Sequence, residues 1–181
     1  MKKLLDRIKL CMLPPPQRRS LPYECYWEES ILPQEQERIF SNQWLGLGRS
    51  DRLQNPGEYE AFELCGQALV LIRNQDKELR LYANTCRHRG AKLLDGTGQC
   101  QAISCPFHGW TYSLDGNLKL AKTMAENSSF DFAEHSLIEY KLKELQGFLF
   151  GFLGNTPTDL SNQLGNFSEL HQPWSMNELV T

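Results

Sequence analysis

From residue 44 to residue 153 the chain alternates short apolar runs with Gly, Asn and Asp punctuation. Segments 43–49, 59–64, 68–73, 78–83, 102–104, 111–112 and 117–119 are rich in aromatic, β-branched and leucine residues, and each reads as a short strand. Asp115-Gly116 is a hairpin-turn dipeptide, and segments 138–145 and 148–153 flank Gln146-Gly147 like the arms of a hairpin. The pattern predicts a small antiparallel β-domain of several short strands. Outside it the periodicity changes. Leu4, Leu5, Ile8 and Leu13 fall near the 3.6-residue spacing of a short amphipathic helix, which Pro14, Pro15 and Pro16 stop. Residues 30–40 read as a second helix, with Pro33 in its first turn. Residues 155–181 lose the strand rhythm and predict a loop with a short helix over 159–164.

Length sharpens this picture: 181 residues suit one domain with appendages and can bury a core without disulfides. Lys and Arg number 19 against 22 Asp and Glu, a net charge of −3, which argues against a nucleic-acid binder. Lys2 and Lys3 ahead of Leu4 and Leu5 resemble the start of a signal peptide. Asp6, Arg7 and Lys9 interrupt the apolar run well short of the roughly 7–15 residues such a peptide needs. No stretch approaches the ~18 apolar residues of a membrane span. A cytoplasmic protein is expected, with an organellar transit peptide as the alternative. In a reducing compartment the six cysteines read as metal ligands or small buried hydrophobes rather than disulfides.

Two segments carry the chemistry: Cys86-Arg87-His88-Arg89-Gly90 and Cys105-Pro106-Phe107-His108-Gly109-Trp110. Both fall where predicted strands end. Two thiolates and two imidazoles suit a tetrahedral zinc ion. They also suit a Rieske [2Fe-2S] cluster, in which two histidines replace two cysteines on one of the irons. Zinc knuckles pair ligands as C-x₂₋₄-C or H-x₃₋₅-H. Here each loop offers one Cys and one His, so each can send its Cys to one iron and its His to the other.

These loops, with Thr111 and Tyr112 following, closely resemble the cluster-binding loops of Rieske oxygenases, and more narrowly the alpha subunits of ring-hydroxylating and quaternary-amine oxygenases. The stretch from Tyr26 to Phe40, Trp44-Leu45-Gly46-Leu47-Gly48, Asn84-Thr85 and Gln146-Gly147-Phe148-Leu149-Phe150 extend the resemblance over residues 23–155. It implies a mainly β, Rieske-type antiparallel β-sandwich with a cluster-binding loop subdomain and a short N-terminal helical lead. The division would be a lead over 1–42, a Rieske domain over 43–155, and a tail over 156–181 similar to the family's linker into a catalytic domain. It implies a [2Fe-2S] cluster on Cys86, His88, Cys105 and His108, surrounded by Arg87, Arg89, Gly90, Gly109, Trp110 and Tyr112. High-potential Rieske proteins carry an extra disulfide-forming Cys in each loop and a Ser after the second His-Gly. The matching positions here are Ala91, Phe107 and Trp110. A lost hydrogen bond to a bridging sulfide lowers the potential, so the low-potential class is expected. Tyr112 is expected to donate to the Cys105 sulfur.

In that family oxygen is activated at a separate mononuclear iron held by two His and a carboxylate. With two of four histidines assigned to the cluster, His135 and His171 remain, far apart, with Asp131 and Asp159 as available carboxylates. His135 reads as a surface residue and His171 as part of an irregular tail. The expected function is electron transfer, as the N-terminal part of an oxygenase whose iron site lies elsewhere. The implied partners are a reductase or ferredoxin donor and a mononuclear-iron domain or chain, with a homotrimer as the family's assembly. A stand-alone Rieske ferredoxin and a non-enzymatic zinc module on the same fold are the alternatives.

Overall fold

The computed structural model describes residues 2–124 and 127–180. The chain forms two compact units, Met1–Ile39 and Phe40–Thr181. The first is helical: α1 (Lys2–Lys9), α2 (Glu24–Trp27) and α3 (Ile31–Arg38). α1 and α3 fall where the apolar spacing and Pro33 place helices. α2 has only four residues, too few to show a period. The Arg7 guanidinium pairs with the Glu24 carboxylate, tying α1 to α2.

The second unit is built on ten strands: β1 (Trp44–Arg49), β2 (Glu58–Leu64), β3 (Gln67–Arg73), β4 (Leu79–Ala83), β5 (Thr97–Gln99), β6 (Ile103–Ser104), β7 (Thr111–Tyr112), β8 (Leu118–Leu120), β9 (Glu139–Leu145) and β10 (Phe148–Phe152). Seven form one sheet in the order β1-β10-β9-β4-β3-β2-β5, and β6-β7-β8 form a second. Every strand pairing is antiparallel, as the sequence predicts. The β2–β3 and β9–β10 hairpins turn on Cys65-Gly66 and Gln146-Gly147, all four residues at positive φ. Such two-residue turns match the right-handed twist of the flanking strands.

Strand β3 explains how the core is arranged. Its run Leu69-Val70-Leu71-Ile72 is wholly buried, because alternate side chains enter opposite cores. Leu69 and Leu71 join Leu81, Leu149 and Leu153 on one face. Val70 and Ile72 join Tyr82, Ile103, Tyr112, Leu118, Cys86 and Cys105 on the other. The small sheet therefore lies over the large one through the same core that holds both motif cysteines. Polar ties fix it there. Buried Asn74 donates to the Asp115 carboxylate at 2.9 Å, and the Leu137 amide donates to the Gly116 carbonyl at 2.8 Å.

The C-terminal segment packs on the same unit. α4 (Leu160–Leu164) starts at Asp159, whose carboxylate accepts the Ser161 amide at 3.0 Å. Leu160 is buried with Trp44, Phe150 and Phe152. Gln163 accepts from the Trp44 amide and donates to its carbonyl, at 2.8 and 2.7 Å. α5 (Phe167–His171) presents Phe167 edge-on to Phe148 and Phe150. Among the described residues, no helix is long and apolar enough to cross a membrane.

Candidate metal centre

The two motif segments are the tips of two hairpins with matching backbones. Thr85 bridges Lys92 around the first tip, and Ser104 pairs with Thr111 around the second. In the first, the Cys86 amide donates to Ala91 O at 2.8 Å and the Gly90 amide to Cys86 O at 2.9 Å. In the second, the Cys105 amide donates to Trp110 O at 2.8 Å and the Gly109 amide to Cys105 O at 3.1 Å. Closing each tip requires left-handed backbone at Gly90 (φ +73°) and Gly109 (φ +68°), which is why glycine stands there. The one asymmetry is the histidine, two residues after Cys86 but three after Cys105.

Asn84 secures the return leg of the first tip. Its side chain, fully buried, donates to Leu94 O at 2.7 Å and accepts the Leu94 amide at 2.9 Å.

Between the tips lies a cavity of about 290 Å³ lined by Cys86, His88, Arg89, Ala91, Cys105, Phe107 and His108. The four donors divide by depth. Cys86 and Cys105 are 3% and 4% exposed and belong to the core. His88 is half-buried and His108 exposed, their rings edge-on at 4.8 Å between centroids. Among the described residues, no three His, Cys, Asp or Glu side chains gather around a single ion position. A tetrahedral zinc ion needs four converging ligands, whereas a two-iron cluster asks for two per iron. Two thiols and two imidazoles supply two donors to each iron of such a cluster. His88 adds a direct sign: its Nδ1 is buried and has no hydrogen-bond partner among the described residues. A buried nitrogen left without a partner is costly unless something outside the chain engages it. Burial, reinforced by Arg89 and His108, lowers the His88 pKa and keeps its imidazole neutral, the form that binds metal.

Tyr112 lies beneath the site. Its hydroxyl accepts the Arg87 amide at 3.0 Å and stands 3.3 Å from Cys86 Sγ. With Cys86 as a thiolate, the form that binds metal, the phenol proton is the one this contact can use. Burial, and then the Cys86 contact, push the phenol well above its usual range, so it remains a donor. This corrects the expectation from the sequence, which paired Tyr112 with Cys105: the β6–β7 register carries the hydroxyl across to the first tip. Trp110 is 2% exposed and stacks on His88 at 4.9 Å and 13°. Arg87 and Arg89 are exposed. Phe107, 73% exposed, stands beside His108 at the rim. All six cysteines are free, and Ala91 and Phe107 stand at the two loop positions where a disulfide between the loops would need cysteines.

The residues considered for a mononuclear iron do not gather as a ligand set among the described residues. His171 Nδ1 meets Phe167 O at 2.7 Å on its own helix. His135 Nδ1 meets Asp131 O at 2.8 Å. His135 is not the surface residue its polar neighbours suggest. It is half-buried, edge-on to Trp110 at 5.7 Å and against Phe130 at 4.3 Å. Sequence reasoning missed it because the contact that ties it to the site, with Trp110, joins residues 25 positions apart.

Paired buried thiols and paired outboard imidazoles on two antiparallel hairpin tips define an iron–sulfur protein of the Rieske class. The chain belongs to the Rieske [2Fe-2S] domain family, which matches residues 43–141, and its cofactor is a Rieske [2Fe-2S] cluster. It is 36% identical over 151 residues to the carnitine monooxygenase oxygenase subunit of Acinetobacter baumannii, covering 83% of this chain and 41% of that one. It is 29% identical over 162 residues to the glycine betaine monooxygenase oxygenase subunit of Chromohalobacter salexigens, covering 88% and 36%. The crystal structure of the quaternary ammonium Rieske monooxygenase CntA with an inhibitor superposes with a TM-score of 0.80 at 34% identity, over 86% of this chain and 44% of that one. The chain therefore spans less than half the length of these relatives.

Proposed function

We propose that this chain carries electrons singly between a reductase or ferredoxin and a mononuclear-iron site in another domain or chain. In this reading Cys86 and Cys105 hold one iron of the cluster and His88 and His108 the other. The observation that carries it is the split donor set, two thiols in the core and two imidazoles outside, with the orphaned buried Nδ1 of His88. When bound, the cluster supplies reversible one-electron chemistry.

The remaining roles belong to side chains. Cys86 and Cys105 are sealed by the core from water, which limits exchange of their sulfurs. His108, exposed beside Phe107, is the edge a partner can reach. Arg87 and Arg89 raise the local positive potential and favour the reduced state. An oxygen-activating iron elsewhere is supported by the relatives, which are named as oxygenase subunits. One solved relative is described in terms of inter-subunit electron transfer. A homotrimer, in which one chain's cluster faces its neighbour's iron, is the assembly this reading carries. Six free cysteines favour the cytoplasm as its compartment.

The test is an anaerobic reductive titration of the purified chain with iron and sulfide analysis. The expected result is two irons and two sulfides per chain, broad Rieske absorption bands, uptake of one electron, and no substrate oxidation. Stoichiometric zinc without those bands overturns the cluster reading, and turnover by this chain alone overturns the placement of the mononuclear iron elsewhere.

Tyr112→Phe is expected to lower the reduction potential. Its O–H···S bond stabilises the more negative, reduced state. Losing about 1–2 kcal/mol of that preference corresponds to ~40–90 mV for one electron. Protein-film voltammetry reads this directly, and an unchanged potential removes Tyr112 from the site's electrostatics.

A further inference from the structure

His88 is gripped on both sides, and the grip extends into a segment outside both motif loops. One face of its ring lies flat on Trp110, while His108 meets it edge-on. Trp110 is buried, yet its indole Nε1 finds no hydrogen-bond partner among the described residues. No polar contact therefore fixes the rotation of the indole about its broad χ2 torsion, and packing must do so. Phe130 and His135 supply that packing, both edge-on to the indole, at 5.6 Å and 77° and at 5.7 Å and 72°. Phe132 backs Phe130 at 5.2 Å. His135 is itself held. Its Nδ1–H donates to Asp131 O at 2.8 Å, and the Asp131 carboxylate accepts the Ala133 amide at 2.8 Å, which fixes the turn. Ring follows ring from the Asp131 turn through His135 and Trp110 to His88.

We propose that Phe130 and His135 are positioning residues that set the orientation of the His88 imidazole through Trp110. The proposal rests on His88 being a cluster ligand, as argued above. The orientation of a ligand ring governs its overlap with the iron, so the brace acts first on His88, and reaches His108 only through the edge-on contact between the two rings. A ring without charge serves this role as well as an imidazole does.

The experiment compares wild type, His135→Ala and His135→Phe in the cluster-loaded, reduced protein. Pulsed electron paramagnetic resonance resolves the two ligand-nitrogen couplings, and voltammetry gives the potential. In His135→Ala one nitrogen coupling shifts or splits into several values and the potential moves, while the second coupling changes less and the iron content stays as in wild type. His135→Phe restores both readings. Wild-type couplings and potential in His135→Ala overturn the proposal. So does an equal change in both couplings accompanied by iron loss, which would mark a general loosening of the fold. A wild-type spectrum without two histidine couplings overturns the ligand assignment itself, and the brace with it.

Discussion

Cys86→Ser and Cys105→Ser are each expected to give a colourless protein with little iron. Removing a group that merely supports a metal ligand costs about 10–100-fold in affinity, and removing a thiolate ligand is expected to exceed that. Both sulfurs sit in the core that includes Val70, Ile72 and Trp110. Metal binding is therefore coupled to folding, and the melting temperature of the purified variants falls together with the iron content. Cys65→Ser is the control. Its thiol packs against the opposite core, beside Leu69 and Leu71, and burial raises its pKa. That variant is expected to keep colour, iron and spectrum. A Cys86→Ser or Cys105→Ser protein retaining two irons and the wild-type spectrum contradicts the ligand assignment.

Asn84→Leu is expected to destabilise by about 2–4 kcal/mol. The substitution keeps the volume nearly constant but strips both hydrogen bonds from the Leu94 backbone at the edge of the first tip. For a domain of this size that corresponds to a fall of roughly 5–15 °C in melting temperature. The same loss frees the return leg of the loop that carries Cys86 and His88, so iron release to a chelator accelerates in parallel. Differential scanning calorimetry and a chelator time course read the two effects. Wild-type values in both would show that Asn84 is not what secures the loop.

The strands were legible because β3 and β10 are dense in leucine and aromatic residues and their turns carry glycine. The exception, β5, reads Thr-Gly-Gln and is exposed throughout. It has no apolar alternation to betray it and is a strand because the edge of β2 offers it free backbone groups. α2 and α5, of four and five residues, each span little more than one turn and lack the Asp cap that marks the start of the equally short α4. The four residues proposed as donors stand out in the sequence for a chemical reason: Cys and His at two loop tips have few other uses. Their surroundings were not. Which sulfur Tyr112 reaches depends on strand register. His135 becomes part of the site only when the small sheet and the 130–135 turn are folded against each other. Local sequence names the donors, and long-range packing names what controls them.

The two ligand-bearing tips spring from different places. One follows β4 of the large sheet and the other joins β6 to β7 of the small one. A group bound to both closes a loop of about 20 residues, and by loop-closure arithmetic such a cross-link removes on the order of 3 kcal/mol of unfolded-chain freedom. A cluster held there would do for this chain what a disulfide does for a secreted one, while the two thiols stay unbonded to each other. Limited proteolysis is expected to cut the metal-free chain faster than the cluster-loaded one, because only the loaded chain carries the cross-link.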